Sequence, residues 1–247
     1  MDTVLITGAS RGIGRATALL AGTRGWAVAV NYRKEAAAAA EVAAELQQRG
    51  ARATTVPGDV SVEADVVAMF ARAQADLGPL SGVVINAGIT APAMPLVEMS
   101  GERLQKMFRV NVLGAYLCAR EAARALSRGR GGKGGSVVLV SSAATRFGSP
   151  GEYVDYAGSK AALDTLAIGL AKELGGEGVR VNAVRPGLVE TEIHATTGDP
   201  DRARKLGRAT PLGRAGRPDE IAEAIVWLLS DAASYVTGSI LDVAGGR

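Results

Sequence analysis

The chain has 247 residues, 47% of them apolar and 21% charged, with a formal net charge of +3. That balance belongs to a soluble globular domain and is too long for a disulfide-stapled mini-protein. One cysteine, Cys118, and one histidine, His194, exclude an intrachain disulfide and a thiolate or imidazole metal site, so no metal is expected.

Arginine dominates the basic residues, 22 against 6 lysines, but no basic motif interleaved with aromatics accompanies it. Nucleic acid is therefore not an expected partner. The first apolar run is only Val4-Leu5-Ile6, too short for a leader or a membrane span, and a cytoplasmic protein is expected.

Short β-branched runs alternate with longer helical stretches along the chain. Strands are predicted over 3–7, 27–31, 53–57, 82–86, 136–141, 180–184 and 240–243, and helices over 12–24, 35–49, 62–77, 101–127, 153–174 and 218–229. The alternation is that of an α/β fold, a Rossmann-type doubly wound parallel sheet with helices on both faces. No repeat, linker or composition break divides it, so one domain is expected over 1–247. Residues 127–135 (Ser-Arg-Gly-Arg-Gly-Gly-Lys-Gly-Gly) read as a solvated connector. Residues 190–216, with Gly198-Asp199-Pro200 and Pro211, follow the carboxyl end of a strand and read as a substrate lid.

The first predicted strand ends in Thr7-Gly8-Ala9-Ser10-Arg11-Gly12-Ile13-Gly14, with a helix immediately after. Glycines there permit a sharp turn, close approach to a pyrophosphate and tight packing of helix on strand. The free N–H groups of the helix N-terminus then favour an anion. The spacing is Gly-x-x-x-Gly-x-Gly rather than the commoner Gly-x-Gly-x-x-Gly.

Here the chain resembles the short-chain dehydrogenase/reductase family over essentially its whole length. Further family marks stand in register at Gly58-Asp59-Val60, Asn86-Ala87-Gly88, Asn111, Ser142, Tyr156-x-x-x-Lys160 and Pro186-Gly187. The resemblance implies that Ser10, Arg11 and Ile13 join the glycines in holding a dinucleotide. It further implies that Asp59, beside Val60, bonds the adenine, that Asn86, Ala87 and Gly88 line the cofactor, and that Pro186, Gly187, Val189 and Thr191 hold the carboxamide. Two departures are Ile85, where an asparagine is frequent, and Ala244 in the terminal Val243-Ala244-Gly245-Gly246, where an acid is common.

An NAD site needs an acid at the end of the second strand to accept from the ribose hydroxyls. This chain reads Asn31-Tyr32-Arg33-Lys34 there, and Glu35 begins the next helix. Arg33 and Arg11 suit a 2′-phosphate instead, so NADP(H) is the expected cofactor and NAD(H) the alternative.

Carbonyl reduction needs a hydride and a proton for the developing alkoxide. Tyr156 and Lys160 are one helical turn apart and share a face. An ammonium beside the phenol is expected to make it more acidic, so that Tyr156 trades protons with the carbonyl or alcohol oxygen. Ser142 ends a strand just upstream and is placed to bond the same oxygen, whereas Ser141 points to the other side by alternation. The resemblance adds Asn111, which serves a water chain to the lysine. It also shows one extra residue in the loop 143–155, near 152–155.

His194, Cys118, Trp26 and Trp227 are read as solvated or packing residues, and Arg202, Arg204, Lys205, Arg208, Arg214 and Arg217 as ion pairs on a solvated face. The substrate stays open between small ketones, 3-oxoacyl thioesters and sugars. Arg128, Arg130 or Arg146 would serve a carrier-bound thioester; Glu192, Thr196 and Thr197 would serve a sugar. A dinucleotide-binding redox sensor is the non-enzymatic alternative. Alanine-rich faces on 101–127 and 153–174 lead to an expected homodimer or homotetramer.

Overall fold

The computed structural model describes residues 2–191 and 201–247. Part of the expected lid, residues 192–200 with Glu192, His194, Thr196 and Thr197, lies outside the described residues. Among the described residues one sheet holds β1 (Thr3–Ile6), β2 (Ala27–Tyr32), β3 (Ala53–Pro57), β4 (Gly82–Ile85), β5 (Gly135–Val140), β6 (Val179–Pro186) and β7 (Ile240–Val243). The strands pair in the order β3-β2-β1-β4-β5-β6-β7, all parallel. This is the expected doubly wound sheet. The chain winds outward in opposite directions from β1 and β4, and the loops leaving their carboxyl ends part there to form a crevice.

Nine helices are described: α1 (Gly12–Thr23), α2 (Ala36–Gln48), α3 (Glu63–Leu77), α4 (Gly101–Phe108), α5 (Gly114–Leu126), α6 (Ala144–Phe147), α7 (Val154–Leu174), α8 (Arg202–Gly207) and α9 (Pro218–Leu229). Alternate strand residues feed two separate cores, because successive side chains leave a strand on opposite faces. Leu5, Val83, Leu139 and Val181 meet α3, α5 and α7, while Ile6, Val28, Val84 and Val138 meet α1, α2 and α9. Burial on both faces is why the strands are continuously apolar.

Four details differ from expectation. The stretch 101–127 is not one regular helix: a π-turn at Arg109–Leu113 separates α4 from α5. The wider turn directs Asn111 inward, where it is buried. Strand β6 runs on to Pro186, because β7 pairs beside it as far as the Pro186–Val243 register. Trp26 is buried against Gly82, whereas Trp227 is 42% exposed. Arg128 and Arg130 form a 3-10 turn before β5, at the amino ends of the strands, so they stand away from the crevice. Among the described residues no helix is long and apolar enough to cross a membrane.

Candidate active site

The turn after β1 is built from backbone. Gly8 and Gly12 adopt φ of +64° and +55°, which side chains disfavour. A Cβ on Gly14 would lie 2.3 Å from the Gly8 carbonyl oxygen and 2.6 Å from Asn86 Nδ2, so only glycine fits. Helix α1 then starts on Arg11 with no side-chain cap and no acid in its first turn. Its first N–H donors are left for a ligand, and an anion meets both these donors and the positive end of the helix dipole.

Three side chains hold the turn. Asn86 Nδ2 donates to the Thr7 and Gly8 carbonyls at 2.9 and 3.0 Å. Thr7 Oγ1 accepts from the Asn86 and Ala87 N–H groups at 2.9 and 3.0 Å. Asn31 Oδ1 accepts from Gly8 N–H at 3.1 Å while its Nδ2 donates to the Val56 and Gly58 carbonyls. Sequence reasoning did not single out Asn31 as part of the site; a buried amide ending an apolar strand was the available signal.

At the end of β2, Arg33 pairs with Asp59, Nη1 to Oδ2 3.3 Å. Asp59 also accepts from the Ser61 N–H and hydroxyl at 2.9 and 2.8 Å. Burial works to raise the Asp59 pKa, but the Ser61 bonds and the Arg33 charge outweigh it and keep the carboxyl below its ordinary value. The residue expected to meet a 2′-phosphate and the one expected to meet the adenine thus contact each other. Arg11, Tyr32 and Lys34 line the crevice alongside, and Glu35 is the N-cap of α2.

Strand β5 and helix α7 carry the second half of the site. Ser142 follows β5, and its hydroxyl lies close enough to that of Tyr156 to lower the phenol's proton affinity. Ser141 faces the helix and donates to the Lys160 carbonyl at 3.1 Å. Lys160 is buried, its Nζ donating to the Val140 carbonyl at 2.8 Å and lying 6.0 Å from the Tyr156 ring centre. A Cβ on Gly88 would lie 3.1 Å from that Nζ and 3.3 Å from Asn111 Oδ1, so the bare glycine is what admits the ammonium. Asn111 exchanges two hydrogen bonds with the Ile89 backbone and donates to Ser159 Oγ at 3.0 Å. It braces the strand-end loop behind the crevice.

The protein groups around the phenol do not by themselves make it more acidic than an ordinary tyrosine. Burial pushes the Tyr156 pKa up, only partly opposed by the Ser142 hydroxyl. Burial also brings Lys160 down to about 8, with the Asp164 charge pulling the other way. Desolvation disfavours the charged form of each, phenolate and ammonium, and outweighs their neighbours.

The crevice between these halves has a volume of about 400 Å³. It is lined by Ser10, Ile13, Val60, Ala87, Ser142, Tyr156, Lys160, Pro186, Gly187, Val189 and Thr191, among other sequence-selected residues; Gly14 and Asn111 stand behind it. A Cβ on Gly187 would lie 2.7 Å from Ala244 Cα, so here again glycine permits a close backbone crossing.

The loop before α7 contains the left-handed Ser149, φ 47°. Arg103 reaches from α4 to Asp155, Nε to Oδ2 2.9 Å, and to the Pro92 carbonyl at 2.6 Å. That buried pair ties down the first turn of α7 next to Tyr156. Arg202 is not on a solvated face: it pairs with Glu152 at 2.5 Å and lies 5.2 Å over the Tyr153 ring, on the crevice wall. Arg214 and Arg217 do form exposed pairs with Glu220 and Asp219. Cys118 is buried, its thiol pushed up to about 12 mainly by burial.

Known proteins resemble the chain end to end. A family model described as enoyl-(acyl carrier protein) reductase matches residues 8–247. An uncharacterized oxidoreductase of Escherichia coli, YgfF, is 49% identical, covering 100% of both chains. An L-rhamnose 1-dehydrogenase (NAD(P)+) of Sphingomonas sp. is 40% identical over 99% of this chain and 95% of its own. The crystal structure of a 3-ketoacyl-(acyl-carrier-protein) reductase of Brucella melitensis, complexed with NADH, superposes with a TM-score of 0.91. That pair is 32% identical and covers 100% of this chain and 98% of the other.

Proposed function

The chain belongs to the short-chain dehydrogenase/reductase family, oxidoreductases of alcohols and ketones, and from that premise we propose that it interconverts a carbonyl and an alcohol with NADP(H), using Tyr156 as acid and base. One observation carries the reading: the Ser142–Tyr156 pair and the buried Lys160 share a single crevice with an uncapped helix N-terminus.

A nicotinamide dinucleotide fits the residues present: the glycines leave a cradle that any Cβ would fill, and α1 offers unused donors. When bound, it supplies or takes up the hydride. The turn from Gly8 to Gly14 holds its phosphates, Asn86 and Thr7 keep that turn in shape, and Pro186, Gly187, Val189 and Thr191 hold its amide end. In reduction, the carbonyl carbon gains a hydride while the Tyr156 hydroxyl gives its proton to the oxygen. In oxidation, Tyr156 as phenolate removes the hydroxyl proton as the C–H bond breaks. Ser142 donates to the same oxygen, and the Lys160 ammonium stabilises the phenolate.

Arg33, Lys34 and Arg11 favour a 2′-phosphate, which would draw Arg33 away from Asp59. The exposed apolar residues Phe108, Tyr116 and Ile168 on α4, α5 and α7 fit the expected homodimer or homotetramer. The test is a panel of ketones, sugars and 3-oxoacyl thioesters assayed with NADPH and NADH by absorbance. Faster turnover with NADPH is expected. Equal or faster rates with NADH would overturn the cofactor assignment, and coenzyme binding without any turnover would leave a redox sensor.

A further inference from the structure

The crevice carries cations at both ends, and a dinucleotide accounts for only one of them. Arg11, Arg33 and Lys34 stand at the glycine-turn end, where phosphates are expected. Arg202 and Arg247 line the crevice as well, Arg202 beside Glu152 and Tyr153 and Arg247 over Phe147 of the helix that follows Ser142. Arg202 is neutralised by Glu152. Nearby, Arg146 and Arg185 are met by Asp242 and Asp164. Arg247 pairs with no Asp or Glu side chain among the described residues.

Its guanidinium, though exposed, stacks 4.8 Å over the Phe147 ring, and Phe147 also lines the crevice. The backbone beneath it is anchored as well. The Leu212 N–H donates to the Gly245 carbonyl at 3.2 Å, and Arg146 reaches the Arg247 carbonyl at 3.4 Å. Gly245 and Gly246, with φ of 64° and 88°, fold the chain back against Pro211. A stacked, pre-positioned guanidinium loses little freedom on binding an anion.

Strand order fixes which anion it can meet. Five strand spacings separate β2 from β7, roughly 24 Å, so the arginine is out of reach of a 2′-phosphate held at Arg33. The ring it stacks on, Phe147, ends the short helix α6 that starts two residues after Ser142. An anionic group on Arg247 therefore belongs to the substrate and lies several bonds from its reacting carbon.

We propose that Arg247, stacked on Phe147, anchors a substrate carboxylate, so that this site acts on oxo acids and hydroxy acids in preference to neutral ketones and alcohols. The inference rests on the oxidoreductase reading above. One guanidinium fork matches one carboxylate with two parallel hydrogen bonds.

The test compares an oxocyclohexane carboxylate with its methyl ester, a pair of similar shape and different charge. The acid is expected to be favoured about tenfold or more in kcat/KM, and Arg247→Gln to remove most of that ratio. Arg247→Lys should restore part of it. Without turnover, the acid should raise the melting temperature of the coenzyme-loaded protein but not that of Arg247→Gln. An enzyme that reduces the ester as readily as the acid, or whose ratio survives Arg247→Gln, loses the anchor and keeps the reductase reading. A protein that reduces neither loses both.

Discussion

The two ends of the crevice are made of different materials. The glycine-turn end is backbone, shaped by Gly8, Gly12 and Gly14 and held by the neutral side chains Thr7, Asn31 and Asn86. The end beneath α7 is made of enclosed ionisable groups, Tyr156, Lys160, Asp155 and Asp164. A neutral backbone cradle works by excluding side-chain volume and is insensitive to pH. The enclosed Tyr156 and Lys160 work by shifted proton affinities, so this pair sets the pH dependence and carries a desolvation cost. Binding and proton transfer are therefore separable by mutation.

The largest separation is expected from Tyr156→Phe. Turnover should fall by about 10²–10⁴-fold or more, the range of positioned acid–base groups, while coenzyme affinity measured by fluorescence titration changes little. Loss of both together would show that the two ends are not independent.

Lys160→Met breaks the comparison on the stability side. The Lys160 pKa is lowered to about 8 in the folded protein, from an ordinary 10.5. The unfolded chain therefore binds more protons between these values, and wild-type stability from this group rises as pH rises from about 8 towards 10.5 and is lost as pH falls through 8. Because the buried Cys118 thiol and Tyr156 phenol oppose this slope above about pH 9, the Lys160 contribution is read as the difference between wild type and Lys160→Met in urea denaturation across that window, a few kcal/mol in total, and the variant should also lose efficient turnover. An unchanged slope would mean that another group is responsible.

Gly14→Ala tests the backbone end. The added Cβ must displace the Gly8 carbonyl or the Asn86 amide, so coenzyme affinity should fall at least tenfold, with about 1–3 kcal/mol lost from unfolding. Its pH profile should match the wild type.

The smallest effect is expected from Ser141→Ala, which removes the bond to the Lys160 carbonyl and should cost about 1 kcal/mol of stability. Ser142→Ala, removing the hydroxyl beside Tyr156, should by contrast lower kcat by about 10²–10³-fold. Equal rate losses in the two serine variants would undo the assignment from strand alternation.

Much of the cofactor end was legible in residues 7–14 because glycine spacing is a local property and the turn is contiguous. Asn31 escaped notice: its partners Gly8 and Gly58 are brought to it only when β1, β2 and β3 align. The Tyr156–Lys160 pair was visible as a one-turn repeat, and Ser142 followed from alternation. The sign of the proton-affinity shifts was not visible, since it depends on how much water the packed crevice excludes. Likewise, Arg202 looks like any arginine of a basic run until Glu152 and Tyr153 are seen beside it.

By itself the sequence determined the α/β class, the glycine turn after β1 and the candidate residues of the site, because each is written in short-range periodicity or spacing. The tertiary structure alone decided which charges are neutralised and which are left facing the crevice: Arg33 meets Asp59, Arg202 meets Glu152, and Arg247 rests on Phe147. Electrostatic energy depends on distance and burial across the fold, and neither quantity is carried by neighbours in the chain.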